Sequence, residues 1–304
     1  MNFKSEYFNS KLLLFGEYGL IFDAMALAVP FSKFCGSLDF DSGNFQKQSN
    51  SEIRKLYTHL TLLDEDKLNY HFDLPRFEND LENGLFFNSN IPQQYGLGSS
   101  GALVAALFSR YADFGISEDK LSAYLLKVDF ALLEAHFHGQ SSGFDPLVSF
   151  MNRPLLLDSK KIVQTVHLDL SKTGLTFALI DTHTTGPTGP LVQHFIDSFN
   201  SPEFKISFAA KFIPANNGCI EALLQNDYAS FFVLLKQLIQ FQLQYFERMI
   251  PTNFKVIISE AISQEVYIKF LGSGGGGYLL AISPSEYNLN KWAKRKGIIL
   301  LKVV

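Results

Sequence analysis

The sequence has few cysteines and no long run of positive charge. Its 304 residues include two cysteines, Cys35 and Cys219, which are far apart and lack metal-ligand spacing. Free thiols of this kind suit a reducing compartment. Lysine and arginine total 26 against 30 acidic residues, and no basic run is long enough for a nucleic-acid or membrane patch. We therefore expect neither nucleic acid nor a membrane as a partner.

Long apolar segments are also missing. No apolar run approaches the roughly 18 residues of a membrane span, and the N-terminal residues lack the apolar region of a signal peptide. A cytoplasmic protein is therefore expected. Hydrophobic residues are nevertheless abundant at 47%, and the 30 phenylalanines are spread along periodic segments. This pattern predicts a large folded core, with two domains or one large α/β unit.

A glycine and serine turn between residues 92 and 107 leads directly into an apolar helical pattern. Glycines here let backbone N–H groups approach an anion closely, and the first turn of a helix offers unpaired donors and the positive end of its dipole. The stretch predicts a phosphate-binding loop, and an ordinary capped turn is the alternative. A Walker A loop is excluded, because no Gly-Lys-Ser/Thr sequence follows Gly96 at the required spacing.

Two charged residues, Lys11 and Glu17, bracket an otherwise apolar predicted strand. Solvent-exposed strand ends are the plain interpretation of such a pair. The glycines on either side of Glu17 are expected to interrupt this strand, which should resume over Leu20–Phe22. A second apolar run over Ala24–Val29 is expected to end at Pro30, and residues 36–52 read as a loop or hairpin.

A helix is predicted from Ser117 to His138, with Gly139 as its stop. Glu134 and His138 lie four residues apart on one helical face, as a surface pair or as part of a site. A tight glycine and serine turn then presents Asp145 before a strand-like segment, residues 147–150. Aspartate before proline is usually a turn residue.

The C-terminal half carries a second glycine-rich segment. Five of the six residues 272–277 are glycine, and an apolar strand follows at once. Such a segment predicts backbone packed closely against a ligand or another loop, rather than a flexible linker. The hydroxyl-rich loop from Thr182 to Pro190 could line a polar pocket. Residues 191–222 read as helical, with a break near residues 214–218.

Three glycine-bearing segments, in this order, resemble the motifs of the galacto-, homoserine, mevalonate and phosphomevalonate (GHMP) kinase superfamily. The resemblance spans most of the chain, from residue 11 to about residue 282. Its motifs are Lys11-x4-Gly16-Glu17, Pro92-x3-Gly96-Leu97-Gly98-Ser99-Ser100 and Lys269-x2-Gly272-Ser273-Gly274-Gly275-Gly276-Gly277. A further segment, Glu134-x3-His138-Gly139-x2-Ser142-Gly143-x-Asp145, is similar to the mevalonate kinases, most closely the bacterial ones.

The resemblance implies an α+β fold with the active site in the cleft between two domains. The first, residues 1–165, would be similar to the ribosomal protein S5 second domain, and the second, residues 166–304, would be ferredoxin-like. ATP and Mg²⁺ are the implied cofactors, a small-molecule alcohol is the implied partner, and a monomer or homodimer is expected.

Roles for individual residues follow from the same resemblance. Asp145 is expected to be the catalytic base with Lys11 as its partner, while Ser100 and Glu134 bind magnesium. The nucleotide phosphates are expected at Pro92, Gly96, Leu97, Gly98, Ser99, Ser100, Gly101 and Ala102. The acceptor is expected near Glu17, Tyr18, Ser142, Gly143, Thr184, Gly274 and Gly275.

Two departures keep the acceptor open. Mevalonate kinases usually have histidine where this chain has Tyr18 and alanine where it has Gly101, and both changes look more like phosphomevalonate kinases. An additional phosphate on the acceptor normally calls for more lysine or arginine. Near the candidate acceptor segments the sequence offers mainly Arg153 and Lys11, so unphosphorylated mevalonate is favoured. A non-catalytic ligand-binding protein on the same fold is the third alternative.

Overall fold

The computed structural model describes residues 6–41, 47–63, 67–113, 121–186 and 188–304 and shows a mixed α+β protein. Two compact units are interleaved along the chain. The first is drawn from residues 1–11, 29–92 and 98–153, and the second from residues 12–28, 93–97 and 154–304. The expected α+β class is confirmed, while the domain boundary at residue 165 remains a prediction. Within the described residues, no helix is both long and apolar enough to cross a membrane.

Two strands contribute residues to both units, and helices dominate the rest of the first unit. In chain order the elements are β1 (Phe8–Phe15), β2 (Ala26–Phe40), α1 (Lys47–Thr61), β3 (His71–Phe72), α2 (Leu74–Glu82), β4 (Leu85–Ser89), α3 (Ser99–Tyr111), β5 (Ala112–Asp113), α4 (Ala123–His138) and α5 (Phe144–Met151). Strand β4 pairs antiparallel with residues 36–40 of β2. Helices α3, α4 and α5 pack on one another, and their shared face is apolar.

The second unit is built on an antiparallel sheet. Its elements are β6 (Leu155–Leu157), β7 (Val163–Thr165), β8 (Thr176–Asp181), α6 (Thr188–Ser198), α7 (Pro202–Ser207), α8 (Ile213–Leu224), α9 (Tyr228–Tyr245), α10 (Thr252–Ala261), β9 (Tyr267–Phe270), β10 (Tyr278–Ser283), α11 (Glu286–Lys296) and β11 (Leu300–Lys302). The sheet order is β11-β8-β10-β9. Residues 26–28 of β2 pair separately with β6, which pairs with β7.

Several local expectations are wrong. Strand does not resume over Leu20–Phe22, where the chain forms a 3₁₀ turn at Gly19–Ile21. Strand β2 runs through Pro30 instead of ending there, and residues 36–52 hold its end and the start of α1. Helix α8 continues across residues 214–218, because Pro214 stands at its first turn, where the missing N–H does no harm.

Many of the phenylalanines pack as one aromatic cluster in the second unit. Phe195 contacts the rings of Phe199, Phe204, Phe208 and Phe246 at centroid distances between 5.1 and 5.9 Å. Offset and edge-to-face contacts of this kind add to the burial of apolar area. The cluster is therefore core, as the dispersed pattern predicted.

Candidate active site

The Lys11 and Asp145 side chains meet in the first unit. The Nζ atom of Lys11 lies 2.8 Å from Oδ2 of Asp145, and the side chains are 2% and 28% exposed. Lys11 comes from β1, and Asp145 comes from the first turn of α5. The structure thus brings together two residues that stand 134 positions apart in the sequence.

Helix α5 corrects the expected strand at residues 147–150. Gly143 adopts a left-handed conformation as the N-cap, and the helix begins at Phe144. Asp145 therefore lies at the N-terminal, positive end of the α5 dipole. An aspartate in this position is held by regular structure on one side and by Lys11 on the other.

Exposed strand ends do not explain Lys11 or Glu17, and that interpretation is wrong. The side chain of Lys11 is 2% exposed, and Glu17 is 1% exposed. Buried charges are retained in proteins only when they are paired and hydrogen-bonded. Both residues therefore need a partner, and each has one.

Glu134 on α4 is buried rather than on the surface, so it is not the surface pair that its helical spacing left open. Its Oε1 accepts a hydrogen bond of 3.0 Å from Ser100, and its Oε2 accepts one of 2.5 Å from Ser141. Burial, followed by the nearby charge of Asp145, raises the pKa of Glu134 to about 7, although the two serines and Lys11 oppose the shift.

The start of α4 also differs from expectation. Ser122 caps the helix by accepting a hydrogen bond from the N–H of Leu125, and Ser122 itself is extended. The helix therefore begins at Ala123, while Ser117 and the side chain of His138 lie outside the described residues. Gly139 ends the helix as expected.

The oxygen ligands of Ser100 and Glu134 fit a hard divalent cation. Magnesium takes oxygen ligands and commonly only one or two from protein, with phosphates and water completing the shell. A cation beside Glu134 would offset the carboxylate charge that burial and Asp145 disfavour. Across the described ranges, no group of three or more His, Cys, Asp or Glu side chains could hold a metal ion.

The predicted phosphate-binding loop ends in a helix start. Gly98 is the left-handed N-cap of α3, and Ser99 and Ser100 form its first residues. The N–H groups of such a first turn lack carbonyl partners within the helix. Gly101 and Ala102 follow in the same turn and are buried. Among the other residues predicted for this loop, Pro92 belongs to the first unit, and Gly96 and Leu97 belong to the second.

A second ion pair lies in the second unit. The ammonium of Lys269 on β9 donates to the carboxylate of Glu17, and the side chains are 0% and 1% exposed. Lys269 also donates to the carbonyl of Phe270 at 3.0 Å, and its Nζ lies 5.7 Å from the centroid of the Phe15 ring. Glu17, expected on the acceptor side, is thus engaged with protein.

Tyr18 is engaged in a similar way. Its hydroxyl donates to the carbonyl of Ser273 at 2.6 Å, and its ring packs 4.5 Å from that of Phe195. Burial, and then the charge of Glu17, raise the pKa of Tyr18. The side chains of Glu17 and Tyr18 therefore both attach the turn after β1 to the segment that begins at Lys269.

Residues 272–277 pack against other loops, which is one of the two arrangements expected for so many glycines. A Cβ at Gly274 would lie 2.4 Å from the carbonyl oxygen of Met249. The N–H of Gly275 donates to that same oxygen at 2.6 Å, and the N–H of Gly277 donates to the carbonyl of Thr184 at 2.7 Å. A side chain at these glycines would push the neighbouring backbone segments apart.

The remaining predicted acceptor residue, Ser142, precedes the N-cap of α5 and lies beside α4. Its hydroxyl accepts from the N–H of Phe144 at 3.3 Å, and its carbonyl accepts from Lys127 at 3.3 Å. Ser142 is therefore brought close to Asp145 in the same turn, whereas Glu17, Tyr18, Thr184, Gly274 and Gly275 belong to the second unit.

Comparison with known proteins identifies a matching family model and similar solved structures. Residues 64–153 match the family model described as GHMP kinases N terminal domain. Among solved structures, mevalonate kinase from L. major is similar, with 16% identity, a TM-score of 0.66 and coverage of 98% of this chain and 94% of that one. The chain has the GHMP kinase fold.

Two further GHMP kinase structures match over nearly their full length. Phosphomevalonate kinase from Streptococcus pneumoniae, in complex with phosphomevalonate and AMPPNP, gives 16% identity, a TM-score of 0.67 and 97% coverage of both chains. Galactokinase from Lactococcus lactis, complexed with galactose, gives 14% identity, a TM-score of 0.65, and coverage of 98% of this chain and 94% of that one. Among curated proteins, no sequence matches significantly.

The expected resemblance to the GHMP kinase superfamily is therefore confirmed for the fold, with a family-model match over residues 64–153. Enzymes of this family are ATP-dependent kinases with alcohol acceptors. At identities of 14–16% the likeness shows the fold, so the acceptor has to be argued from the site.

Two residues that hold the predicted carboxylates, one in each unit, escaped the sequence analysis. Ser141 holds the second oxygen of Glu134, although only its neighbour Ser142 was assigned a role. Lys269 was noted as part of a motif and given no task. Its signal was present, because a lysine in the apolar strand Tyr-Ile-Lys-Phe requires a buried partner.

Proposed function

We propose that the protein is an ATP-dependent phosphotransferase that acts on the C5 hydroxyl of mevalonate, a step in isoprenoid precursor synthesis. The observation that carries the proposal is the Lys11–Asp145 pair, in which a buried lysine holds a carboxylate that remains 28% exposed. Gly98 at the start of α3 lies against both side chains. These contacts support a catalytic base beside a phosphate-binding helix start within one unit.

The chemistry needs a group that accepts the proton of the hydroxyl. Asp145 takes that proton while the hydroxyl oxygen forms a bond to the γ-phosphorus of ATP. The bond between the γ-phosphorus and the oxygen bridging to the β-phosphate breaks, and ADP leaves. Lys11 holds Asp145 through the ion pair and stabilises the negative charge that develops on the attacking oxygen.

The start of α3 would hold the nucleotide phosphates through its backbone N–H groups and its dipole. Ser100 and Glu134 would hold magnesium, which neutralises charge on the transferred phosphoryl group when it is bound. Ser141 orients Glu134 for that task through its 2.5 Å hydrogen bond.

We favour an unphosphorylated alcohol as the acceptor because the buried lysine of each unit is already paired. Lys11 is committed to Asp145, and Lys269 is committed to Glu17. A phosphate group on the acceptor normally requires further lysine or arginine. Phosphomevalonate is the second candidate, since Tyr18 and Gly101 depart from the usual mevalonate kinase residues.

Initial rates with ATP and Mg²⁺ separate these candidates. We expect kcat/KM to be at least about tenfold higher for mevalonate than for phosphomevalonate or galactose, a preference that pocket contacts of 1–3 kcal/mol can supply. A higher value for phosphomevalonate would replace the first candidate with the second. Nucleotide binding with no transfer to any of the three acceptors would favour the non-catalytic alternative.

A further inference from the structure

Gly101 lies where a side chain would collide with the turn that carries Asp145. It has a helical backbone in the first turn of α3 and is buried. A Cβ at this position would lie 2.8 Å from the nitrogen of Pro146, 2.9 Å from the carbonyl carbon of Asp145 and 3.1 Å from its Cβ. These are atoms of the backbone or next to it, so no flexible end of a side chain can move aside.

A second glycine brings the start of α5 into close contact with α4. Gly143, the N-cap of α5, has a φ of +69°, and a Cβ there would lie 2.1 Å from the carbonyl oxygen of Lys127 and 2.7 Å from the nitrogen of Ala131. Both of these residues belong to α4. The start of α5 is therefore in backbone contact with α3 and α4, the helices that carry Ser100 and Glu134.

The third contact is at Gly98. A Cβ on this residue would lie 3.0 Å from both Cγ and Cε of Lys11 and 3.5 Å from Oδ2 of Asp145. Gly98 and Gly101 of the proposed phosphate-binding loop thus both lie against residues of the ion pair. For Gly101 in particular, the space that a Cβ would need is filled by Asp145 and Pro146.

We propose that Gly101 is a positioning residue, whose missing side chain sets how deeply α5 packs on α3 and thereby where Asp145 stands relative to Lys11. This inference rests on the proposed function, in which Asp145 is the base. It assigns to Gly101 a role that acts through Asp145, in place of the expected direct contact with the nucleotide.

The contact distances give the size of the effect. Ordinary van der Waals contacts of a Cβ begin near 3.4 Å, so an alanine at 101 must displace the start of α5 by a few tenths of an ångström or more. A misplacement of about 1 Å in a reacting group costs roughly 10²-fold in rate. Alanine is otherwise the better helix former, so a loss of activity would not come from helix propensity.

The test compares Gly101→Ala with Gly189→Ala. Gly189 is also in the first turn of a helix, α6, but a Cβ there would meet nothing within 4 Å. We expect Gly101→Ala to lower kcat by about 10–100-fold, while its Kd for AMPPNP stays within about threefold of wild type. Gly189→Ala should change neither value by more than about twofold.

A double-mutant cycle identifies the residue through which Gly101 acts. In an Asp145→Asn background, Gly101→Ala should lower the residual kcat by less than about twofold, because the affected base is already gone. An equal fold-loss in both backgrounds would overturn the proposal. A loss of AMPPNP affinity with kcat unchanged would do the same, since that result belongs to a nucleotide contact.

A second variant tests the positioning of α5 in case Gly101→Ala does not fold. If Gly101→Ala does not fold, Ser149→Ala replaces it, because Ser149 on α5 donates to the carbonyl of Asn9 on β1 at 2.8 Å and its loss loosens α5 without adding an atom. A several-fold fall in kcat at unchanged AMPPNP affinity is then expected, and an unchanged kcat overturns the proposal.

Crystal structures separate failure of the positioning role from failure of the proposed function. If wild type transfers phosphate to no acceptor, the proposed function fails, and the distance from Lys11 Nζ to Asp145 Oδ2 still decides the positioning role. A distance that lengthens beyond the 2.8 Å of the native pair in Gly101→Ala supports it. An unchanged distance overturns it.

Discussion

Among the described residues, two ion pairs join a buried lysine to a carboxylate, and they differ in how far water reaches the carboxylate. In the first unit, Asp145 keeps 28% of its side chain exposed beside a buried Lys11. In the second unit, Glu17 and Lys269 are 1% and 0% exposed. We call the first the open pair and the second the closed pair. The carboxylate of the open pair can contact an incoming hydroxyl, whereas that of the closed pair contacts only protein.

The difference shows that charged residues of the glycine-bearing motifs, such as Glu17 and Lys269, can serve to hold the protein together rather than to contact a substrate. Lys269 also donates to the carbonyl of Phe270, so the closed pair holds β9 and the turn at Glu17 together. Buried ion pairs are rarely a net source of stability, because desolvation offsets their attraction. We therefore assign chemistry to the open pair and positioning of the glycine-bearing turn to the closed pair.

The largest effect is expected at the open pair. Asp145→Asn keeps the shape of the side chain and removes the base, so kcat should fall by about 10²–10⁴-fold. Steady-state rates at saturating ATP and acceptor measure the change, and circular dichroism verifies the fold. Turnover near that of wild type would remove Asp145 from the mechanism.

The closed pair should respond in stability rather than chemistry. Lys269→Met leaves Glu17 buried without its ammonium partner, which should cost about 3–5 kcal/mol of unfolding free energy. Replacing both residues by Met should regain most of that loss, since apolar side chains of similar volume often substitute for a buried pair. Urea unfolding measures both values. A double variant as unstable as the single one would contradict this account of the closed pair.

A third expectation concerns Glu134, which lies close to the open pair. Glu134→Gln keeps the size of the side chain but removes a carboxylate ligand, so the apparent affinity for Mg²⁺ in the assay should fall by about 10–100-fold. Titration of the rate with Mg²⁺ at fixed ATP measures this. The exposed Glu82, which pairs with Arg54 on the surface, provides the matched Gln control. Equal Mg²⁺ dependence in the two variants would exclude Glu134 as a ligand.

The smallest effect is expected at Tyr18, next to the closed pair. Tyr18→Phe removes the 2.6 Å hydrogen bond to Ser273 and keeps the aromatic packing. The unfolding free energy should fall by about 0.5–1.5 kcal/mol. The KM for the acceptor should stay within about threefold, because the hydroxyl is already bound to protein. A KM increase well beyond that, at little cost in stability, would show that the phenol meets the acceptor directly.

The sequence singled out four residues that the structure brings together, whereas several predictions of the local structure around them were wrong. Glycine and serine motifs identified Lys11, Ser100, Glu134 and Asp145, and the structure brings these four side chains into one network. The motifs stand out because close backbone approach tolerates few residue types. A need for a buried ion-pair partner could be recognised only where a charged residue stands in an apolar strand, as at Lys269.

Local structure was harder to predict where tertiary contacts override intrinsic preference. Asp145 and Pro146 read as a turn, yet proline is well suited to the first turn of a helix, and α5 begins there. Pro30 read as the end of a strand, but β2 continues through it. The close contact between Gly101 and Asp145 joins residues 44 positions apart, and no local pattern reports it.

Direct observation of the product tests the central claim most simply. Incubation of the purified protein with ATP, Mg²⁺ and mevalonate can be followed by ³¹P nuclear magnetic resonance. We predict that the γ-phosphate signal of ATP is replaced by that of an alkyl phosphate, one for each ADP formed, and that Asp145→Asn suppresses this conversion. Release of the γ-phosphate only as inorganic phosphate, or equal conversion by the Asn variant, would contradict the account.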